Sequence, residues 1–452
     1  MPSADEVSRA AQAAAERSGR DTIAAVATPP GRGGIGIVRL SGPAVARIAR
    51  AVIGELPPPR HVQLARFNDS HGEPVDEGLA LFFPAPNSYT GEDVLELHGH
   101  GGPVVMGELL SACLDCGARL AEPGEFTRRA FLEGRLDLAQ AEAVADLIDA
   151  ASREAARSAL RSLTGEFSAA VATLQRKLVD LRALTEAQLD FPEEDLDAMH
   201  RQETAQRLAE VRAALREVLA RSQQGSLLRS GLHVVLVGRP NVGKSSLLNR
   251  LAGEDRAIVT AVPGTTRDAL REPIHIEGVP LVLVDTAGLR TAADELERLG
   301  MARTHLELQH ADVVLAVHEA GANEPIEAPL AEGAARVDLY NKVDLHPGFR
   351  PHPGAIAVSA KTGAGLEELR RAILRAAGWS ATGESVFLAR ERHLRALSAA
   401  NHHLTQAAAE IDRLELFAEE LRLAHLELGR ITGEFTSDDL LGEIFGRFCI
   451  GK

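Results

Sequence analysis

At 452 residues, 45% hydrophobic and 25% charged, the chain has the make-up of a soluble globular protein of two or three domains. A net charge of −15 excludes a surface coated in basic residues, so any contact with nucleic acid must use a local patch. Three cysteines are too few for a disulfide framework and point to a reducing, cytoplasmic setting, and no run approaches the roughly 18 apolar residues of a membrane helix.

Residues 1–20 read as a polar, Ala-rich extension without the apolar stretch of a secretory signal. From residue 21 the texture becomes α+β. Short strand-like runs at 23–26, 35–40, 78–83 and 94–97 are separated by turn clusters such as Pro29-Pro30-Gly31 and Pro57-Pro58-Pro59, and this domain is expected to end at Arg135. Gly31, Gly33, Gly34 and Gly36 form a glycine run, but no convincing helix follows at the distance a dinucleotide-binding turn needs. His98 and His100 flank Gly99 with no third ligand nearby, so they read as loop residues rather than a metal pair. Cys113 and Cys116 stand among Leu109, Leu110 and Leu114 and read as ordinary helix cysteines.

Residues 136–230 and 379–452 read as one helical domain interrupted in sequence. Leu174, Leu178 and Leu181 mark one apolar stripe, and Leu208, Val211, Leu215 and Val218 a second. The tract Phe191-Pro192 breaks the pattern between them. Later, Leu394, Leu397, Leu404, Ile411 and Leu414 fall on one face, so helices before and after the intervening 231–378 are expected to pack together. Arg390, Arg392, His393 and Arg395 form a short basic cluster that reads equally as a solvated helix face or as a contact for a nucleic acid or a protein partner.

The insert, 231–378, carries the phosphate chemistry. The apolar run Val234-Val235-Leu236-Val237 reads as a strand buried on both faces. It leads into Gly238-Arg-Pro-Asn241-Val242-Gly243-Lys244-Ser245-Ser246, a match to G-x-x-x-x-G-K-[ST] at every position. Glycines there let backbone N–H groups surround phosphates at a helix N-terminus, Lys244 reaches the terminal phosphates and the Ser245 hydroxyl ligates Mg²⁺. A second strand ends in Asp285-Thr286-Ala287-Gly288, where Asp285 holds the metal through water and the Gly288 N–H senses the γ-phosphate. Upstream, Thr265 and Thr266 offer a hydroxyl for the metal shell. Asn341-Lys342-Val343-Asp344 supplies a carboxylate able to accept from both N1–H and the 2-amino group of guanine, and Ser359-Ala360-Lys361 fits the loop behind the base. The nucleotide is therefore expected to be GTP.

Leu289 follows Gly288 where many GTPases carry a water-orienting Gln. Either hydrolysis is poor or another group orients the water. The acids of Asp294-Glu295-Leu296-Glu297 could serve, or could simply begin a solvated helix. The stretch after Val313–Val317 lacks the Asp usual at that strand's end, for which only local change is expected.

Two further groups of motifs carry a resemblance. The phosphate loop together with Pro263-Gly264-Thr265-Thr266-Arg-Asp268 resembles the Era/TrmE class of translation-related GTPases. The stretches Ala27-Thr-Pro-Pro-Gly-Arg-Gly-Gly34, Asn87-Ser-Tyr-Thr-Gly-Glu-Asp93, Gly99-His-Gly-Gly102, Pro123-Gly-Glu-Phe-Thr127, Leu136-Asp-Leu-Ala-Gln-Ala-Glu142, Gly433-Glu-Phe-Thr-Ser-Asp-Asp439 and Phe448-Cys-Ile-Gly-Lys452 extend it from about Asp21 to Lys452, to the family of tRNA uridine-modification GTPases.

The resemblance implies a P-loop GTPase domain inserted into a helical domain, behind an α+β domain like the tetrahydrofolate-binding aminomethyltransferases. It implies that Glu297 orients the water. It places GTP against 241–246, the loop Thr260-Ala261-Val262-Pro263-Gly264-Thr265-Thr266, and the later motifs. Mg²⁺ falls on Ser245 and Thr266, and K⁺ on Asn241, Thr260, the Val262 carbonyl and Thr265, as a cation standing in for an arginine finger. It assigns Arg39, Glu96, Arg135 and Lys452 to a formyl-tetrahydrofolate or related folate, and gives Cys449 a suspected role in the modification. It implies a homodimer, tRNA as substrate, and an MnmG-type flavoprotein partner that supplies FAD, acting together at C5 of the wobble uridine. The alternative, a ribosome-assembly switch, expects a basic RNA module where Leu-striped helices stand instead.

Overall fold

The computed structural model describes residues 21–190, 198–254, 273–285, 306–322, 326, 333–379, 386–434 and 438–451. Internal contacts divide the chain into two compact units, Met1–Ala145 with Gly429–Lys452, and Asp146–Leu428.

In the first unit the elements run β1 (Ile23–Val26), β2 (Gly36–Ser41), α1 (Val45–Ile53), β3 (Gln63–Asn68), β4 (Pro74–Phe83), β5 (Val94–Gly99), α2 (Pro103–Asp115), β6 (Arg119–Leu120), α3 (Glu125–Leu132) and the start of α4 (Leu138–Ile148). The sheet has the order β3-β4-β5-β2-β1-β6, antiparallel except for the β1–β6 pair. Strand alternation sends Val38, Leu40, Phe67, Phe82, Leu95 and Leu97 to one face, where they meet Ile48 and Val52 of α1 and Met106 and Leu109 of α2. The glycine run at 31–36 joins two antiparallel strands, a topology without the strand-to-helix turn that would seat a pyrophosphate.

A buried ionic network ties α3 into this unit. Arg129 is 1% exposed. Its Nη1 donates to the Asp21 carbonyl (2.9 Å) and to both oxygens of Glu92 (3.1 Å), and its Nη2 donates to the carboxylates of Asp21 (2.9 Å) and Glu125 (3.0 Å). Arg119 bridges the same Asp21 and Glu125. Ile444, Phe445 and Phe448, on and just after α12 (Asp438–Gly446), close the unit by packing with Leu138 and Ala141.

The second unit holds α5 (Arg153–Leu163), α6 (Glu166–Asp190), α7 (Ala198–Ser230), then β7 (Leu232–Val237), α8 (Lys244–Glu254), β8 (Pro273–Ile276), β9 (Val279–Asp285), β10 (Val313–Glu319), β11 (Ala335–Asn341), β12 (Ile356–Ala357), α9 (Leu366–Ala376), α10 (Glu391–Ala409) and most of α11 (Leu414–Thr432). Its sheet runs β12-β11-β10-β7-β9-β8 and is parallel apart from the β8–β9 hairpin. Val234, Leu236, Val313 and Leu315 pack into one core, whereas Val235, Val237, Val314 and Ala316 pack into another. Burial on both faces explains why these strands read as continuous apolar runs.

Helix α7 packs against both α6 and α10, with Leu208, Val211, Leu215 and Val218 buried. The stretch read as one face after residue 390 is split in two. α10 ends at Ala409 and α11 starts at Leu414, which leaves half-buried Ile411 in the turn between them. No Gly or Pro marks the break, so periodicity alone ran through it.

Where the chain leaves the helices for the nucleotide domain and where it returns, the two segments are bolted together. A Cβ on Gly225 of α7 would lie 1.6 Å from the Phe387 carbonyl oxygen, so only glycine admits this backbone crossing. Nearby, the buried Asp146 carboxylate accepts from Arg229 Nε (3.0 Å) and Arg390 Nη2 (2.9 Å), one residue from each segment.

Candidate functional site

The loop between β7 and α8 is shaped for phosphate. Lys244 opens α8 and is 4% exposed; its Nζ donates to the carbonyls of Gly238 (2.7 Å) and Arg239 (2.9 Å), folding the ammonium into the loop. Gly243 has φ +94°, and a Cβ there would meet Asn341 Nδ2 at 2.3 Å, so both the backbone conformation and the close approach require glycine. Asn241 is exposed with φ +62°, a left-handed conformation that asparagine tolerates better than most residues. Ser245 and Ser246 are exposed in the first turn of α8, and Val242 is buried beside them. Asp285 ends β9 in register with Leu236 of β7, which brings the second motif's strand alongside the first.

The segment read as the base motif is stitched to the loop between β7 and α8 by one side chain. Asn341, 2% exposed at the end of β11, donates from Nδ2 to the Val242 carbonyl (2.9 Å) and accepts from the Ala360 N–H at Oδ1 (3.0 Å). It thus joins the loops of the first, fourth and last nucleotide motifs. The fully buried Ser359 donates its hydroxyl to Asp344 Oδ1 (2.7 Å) and accepts from the Thr362 N–H (3.1 Å). That bond orients an otherwise exposed carboxylate, and Asp344 retains the acceptor capacity that the paired donors of guanine require. Lys361 is exposed next to it.

Lys342 (φ +64°) forms an ion pair with Glu319 at 3.1 Å. Glu319 is the last residue of β10, so a carboxylate one methylene longer than Asp closes the strand noted above. The change therefore reaches the base motif, a link that sequence reading did not anticipate. Beside it, His318 stacks on Tyr340 and pairs with Asp338 through Nε2 (3.2 Å).

Thr260, Ala261, Val262, Pro263, Gly264, Thr265, Thr266, Thr286, Ala287, Gly288, Leu289, Glu297 and Lys452 lie outside the described residues. The side chain of Asp285 does as well.

A second cluster occupies the first unit. Arg39 on β2 stands opposite Glu96 on β5 and forms an ion pair with it at 2.8 Å. The Arg39 guanidinium lies over the rings of Tyr89 (5.5 Å) and Phe126 (5.8 Å), and Tyr89 is tied through its hydroxyl to Thr127 (2.8 Å). Cys449 is exposed, and its carbonyl accepts from the Gly124 N–H (3.4 Å) beside α3. Gly451 is buried against the Val26 carbonyl at the end of β1, so the last described residues return to the strand next to Arg39. Arg135 is exposed, with its side chain near Gly91 in the loop that carries Tyr89.

His98 is a strand residue rather than a loop one. It pairs with Glu96, while His100 pairs with Asp76. Burial raises the Asp76 carboxyl, but hydrogen bonds from the His100 backbone and ring outweigh it and hold the group below its usual range. Among the described residues, no three His, Cys, Asp or Glu side chains gather as a metal site. Cys113 is buried in α2, and burial pushes its thiol up to about 12; Cys116 is raised by burial and by Asp115. Neither is a ready thiolate, in keeping with ordinary helix cysteines. Among the described residues no helix is long and apolar enough to cross a membrane.

Comparison with known proteins gives these two clusters a common setting. The model of the GTP-binding protein TrmE N-terminus matches residues 22–135, and that of the MnmE helical domain matches residues 138–449. The tRNA modification GTPase MnmE of Azoarcus sp. (strain BH72) is 59% identical over 444 residues, covering 96% of this chain and 98% of that protein. Its counterpart in Thiobacillus denitrificans (strain ATCC 25259 / T1) is 58% identical over 438 residues, with the same coverage. The solved FeoB G-domain from Methanococcus jannaschii is 25% identical and covers 32% of this chain and 96% of its own, at a TM-score of 0.23. With its full-length relatives and both domain models in agreement, the chain belongs to the MnmE (TrmE) family of tRNA modification GTPases.

Proposed function

We propose that the protein is a K⁺-stimulated GTPase that acts with a flavoprotein partner in C5 (carboxymethyl)aminomethyl modification of the wobble uridine of certain tRNAs. The observation that carries the GTPase reading is the joining of phosphate and base motifs through Asn341, and the family carries the tRNA reading.

In this reading Lys244 leaves its loop carbonyls to neutralise the terminal phosphates, and Asp344, held by Ser359, selects guanine. Ser245 and Thr266 would hold Mg²⁺, with Asp285 behind them. Asn241, Thr260, the Val262 carbonyl and Thr265 would hold K⁺. These are neutral oxygen donors, which suit a weakly charged hard cation, and Asn241 stands exposed at the loop. Bound there, the cations offset the charge that develops on the transferring phosphoryl group. Glu297 orients the attacking water in place of the Gln that Leu289 replaces.

Arg39, Glu96, Arg135 and Lys452 would bind formyl-tetrahydrofolate or a related folate. The partly buried Glu96 carboxylate beside Arg39 supports this, since a pterin presents paired N–H donors. Cys449 serves as a thiol near that site. The protein works in the cytoplasm as a homodimer, with FAD held only by the partner. The cross-strand pair Leu64 and Leu79 is exposed on the first sheet, which supports coverage by a second copy. Boundaries at 20, 135, 230 and 378 separate the extension, the folate-type domain, the helical domain and the inserted GTPase domain.

Turnover of GTP in KCl against NaCl tests the mechanism. KCl is expected to accelerate it markedly, and Glu297→Ala to lower it by roughly 10²- to 10⁴-fold, the usual worth of a positioned acid or base. Cation-independent turnover, or full activity of the variant, would sink the mechanism. Cys449→Ser is expected to abolish wobble-uridine modification, measured by nucleoside analysis of tRNA; unchanged modification would end the thiol role.

A further inference from the structure

Helix α5 has two unlike faces. Ala155 and Ala159 are buried in the core that holds Leu232 and Leu281 of the nucleotide-domain sheet, and Ser158 donates its hydroxyl to the Val386 carbonyl (2.8 Å). The opposite face carries Arg153, Arg157 and Arg161, each four residues after the last and so about 6 Å further along the helix. Arg153 and Arg157 are exposed, Arg161 is half-buried, and Leu160 beside them is 49% exposed.

Among the described residues none of the three guanidiniums has an ion-pair or hydrogen-bond partner. By contrast, Arg207 on α7 and Arg422 on α11 each meet a glutamate one turn away, Glu203 at 2.6 Å and Glu419 at 2.7 Å. Like charges one turn apart disfavour a helix. The single acid of α5, Glu154, stands three residues before Arg157, where it could offset that repulsion. Its carboxylate lies instead over the β8–β9 turn, where a Cβ on Gly278 would meet Oε2 at 2.5 Å. A row of unneutralised arginines therefore stands on a chain whose net charge is −15. Arginine binds phosphate through two parallel N–H···O bonds, and a row of them at even spacing matches a chain of phosphates. A membrane surface is a poor match, because the apolar face of α5 is already spent in the core. So is a protein partner, since the stripe holds no aromatic anchor and only Leu160 as a large apolar side chain.

We propose that the outer face of α5, through Arg153, Arg157 and Arg161, is a docking surface for the phosphate backbone of tRNA. The inference rests on the tRNA reading given above and deepens it, by naming where an acidic protein holds a polyanion. Contacts of this kind fix position and carry no sequence preference.

The test is fluorescence anisotropy of a labelled tRNA transcript titrated with the full-length chain over a range of KCl concentrations. Changing Arg153, Arg157 and Arg161 together to Gln is expected to weaken binding on the order of 10²-fold at 0.1 M salt and to reduce the slope of log K against log salt by about two to three. Changing all three to Lys should keep the slope and lose less affinity, since charge remains without the fork. A control that removes the same charge, Arg207, Arg413 and Arg422 to Gln, should leave the slope unchanged. GTP turnover and the thermal midpoint report whether the fold is intact; should the triple variant unfold, Arg157→Gln alone is expected to lower the slope by about one. Wild-type affinity and slope in the stripe variant would overturn the inference while leaving the tRNA reading in place, as would equal losses in the stripe and control variants. Unchanged tRNA binding with lost association with the flavoprotein would assign the stripe to an acidic protein surface and overturn it too. A wild-type chain that binds no tRNA at any salt concentration removes the tRNA reading and this inference together.

Discussion

Arg129→Met is expected to destabilise the first unit by about 3–5 kcal/mol, the cost of breaking a buried ion pair by removing one partner. At about 2–4 °C per kcal/mol for a body of this size, the thermal midpoint should fall by roughly 10 °C. The reason lies in what remains behind. Arg129 neutralises Asp21, Glu92 and Glu125 in one fully buried position, and methionine fills the volume without returning a donor. Arg119 still reaches Asp21 and Glu125 but has no ion pair with Glu92 among those seen. Differential scanning calorimetry checks the shift, and a midpoint within 2 °C of wild type would show the network to be dispensable.

The same network sets the response to acid. Burial raises the Glu125 carboxyl, but Arg119, the Glu122 backbone and Arg129 outweigh it and hold the group below its ordinary 4.5. Asp21 is likewise held below 3.8, with burial opposed by Arg119 and Arg129. A carboxyl with a depressed folded-state pKa contributes stability that is present above its unfolded value and is lost as pH falls through the folded one. Wild type should therefore weaken below about pH 4. The gap between wild type and Arg129→Met should narrow over the same range, because protonated carboxyls no longer need the guanidinium.

Asp344→Asn is expected to weaken GTP binding by roughly 10³-fold or more, since a site built to accept paired donors is left mispaired with them. An amide can donate to a 2-oxo group, so affinity for xanthosine triphosphate should rise at the same time. The Ser359 hydroxyl bonds to Oδ1 and would continue to orient the new side chain, so the expected outcome is an exchange of preference rather than simple loss of the site. Competition binding with the two nucleotides measures it. GTP affinity within tenfold of wild type would show that Asp344 does not select the base.

What the sequence made legible follows from what each signal measures. β1 was read with the bounds it has, because Ile23–Val26 is flanked by turn residues. The nucleotide strands were plain because burial on both faces leaves an unbroken apolar run. β3 was missed, since Leu64 points away from the core and Arg66 and Gln63 dilute the pattern. The break at 410–413 was missed because no helix breaker stands there. Among the candidate site residues, Asn341 and Ser359 were picked out by motif position, but their bonds to Val242 and Asp344 were not foreseeable from composition. His98 was read beside His100 in sequence, whereas its partner is Glu96, one strand repeat earlier. Alternation along β5 was the signal that could have shown it. Asp146, Arg229 and Arg390 gave no hint of one another, because a pairing across so many residues leaves no local trace.

The bolt at Gly225 and Phe387 has a consequence for synthesis. α7 is complete at Ser230, yet α10, which covers it, starts only at Glu391. At the usual pace of translation the interval is on the order of ten seconds. During that time the stripe of Leu208, Val211, Leu215 and Val218 has lost its later partner to a segment still inside the ribosome, while the whole GTPase insert can emerge and fold. The nascent helices are then the species in need of shielding, and the emergence of α10 is what ends that exposure.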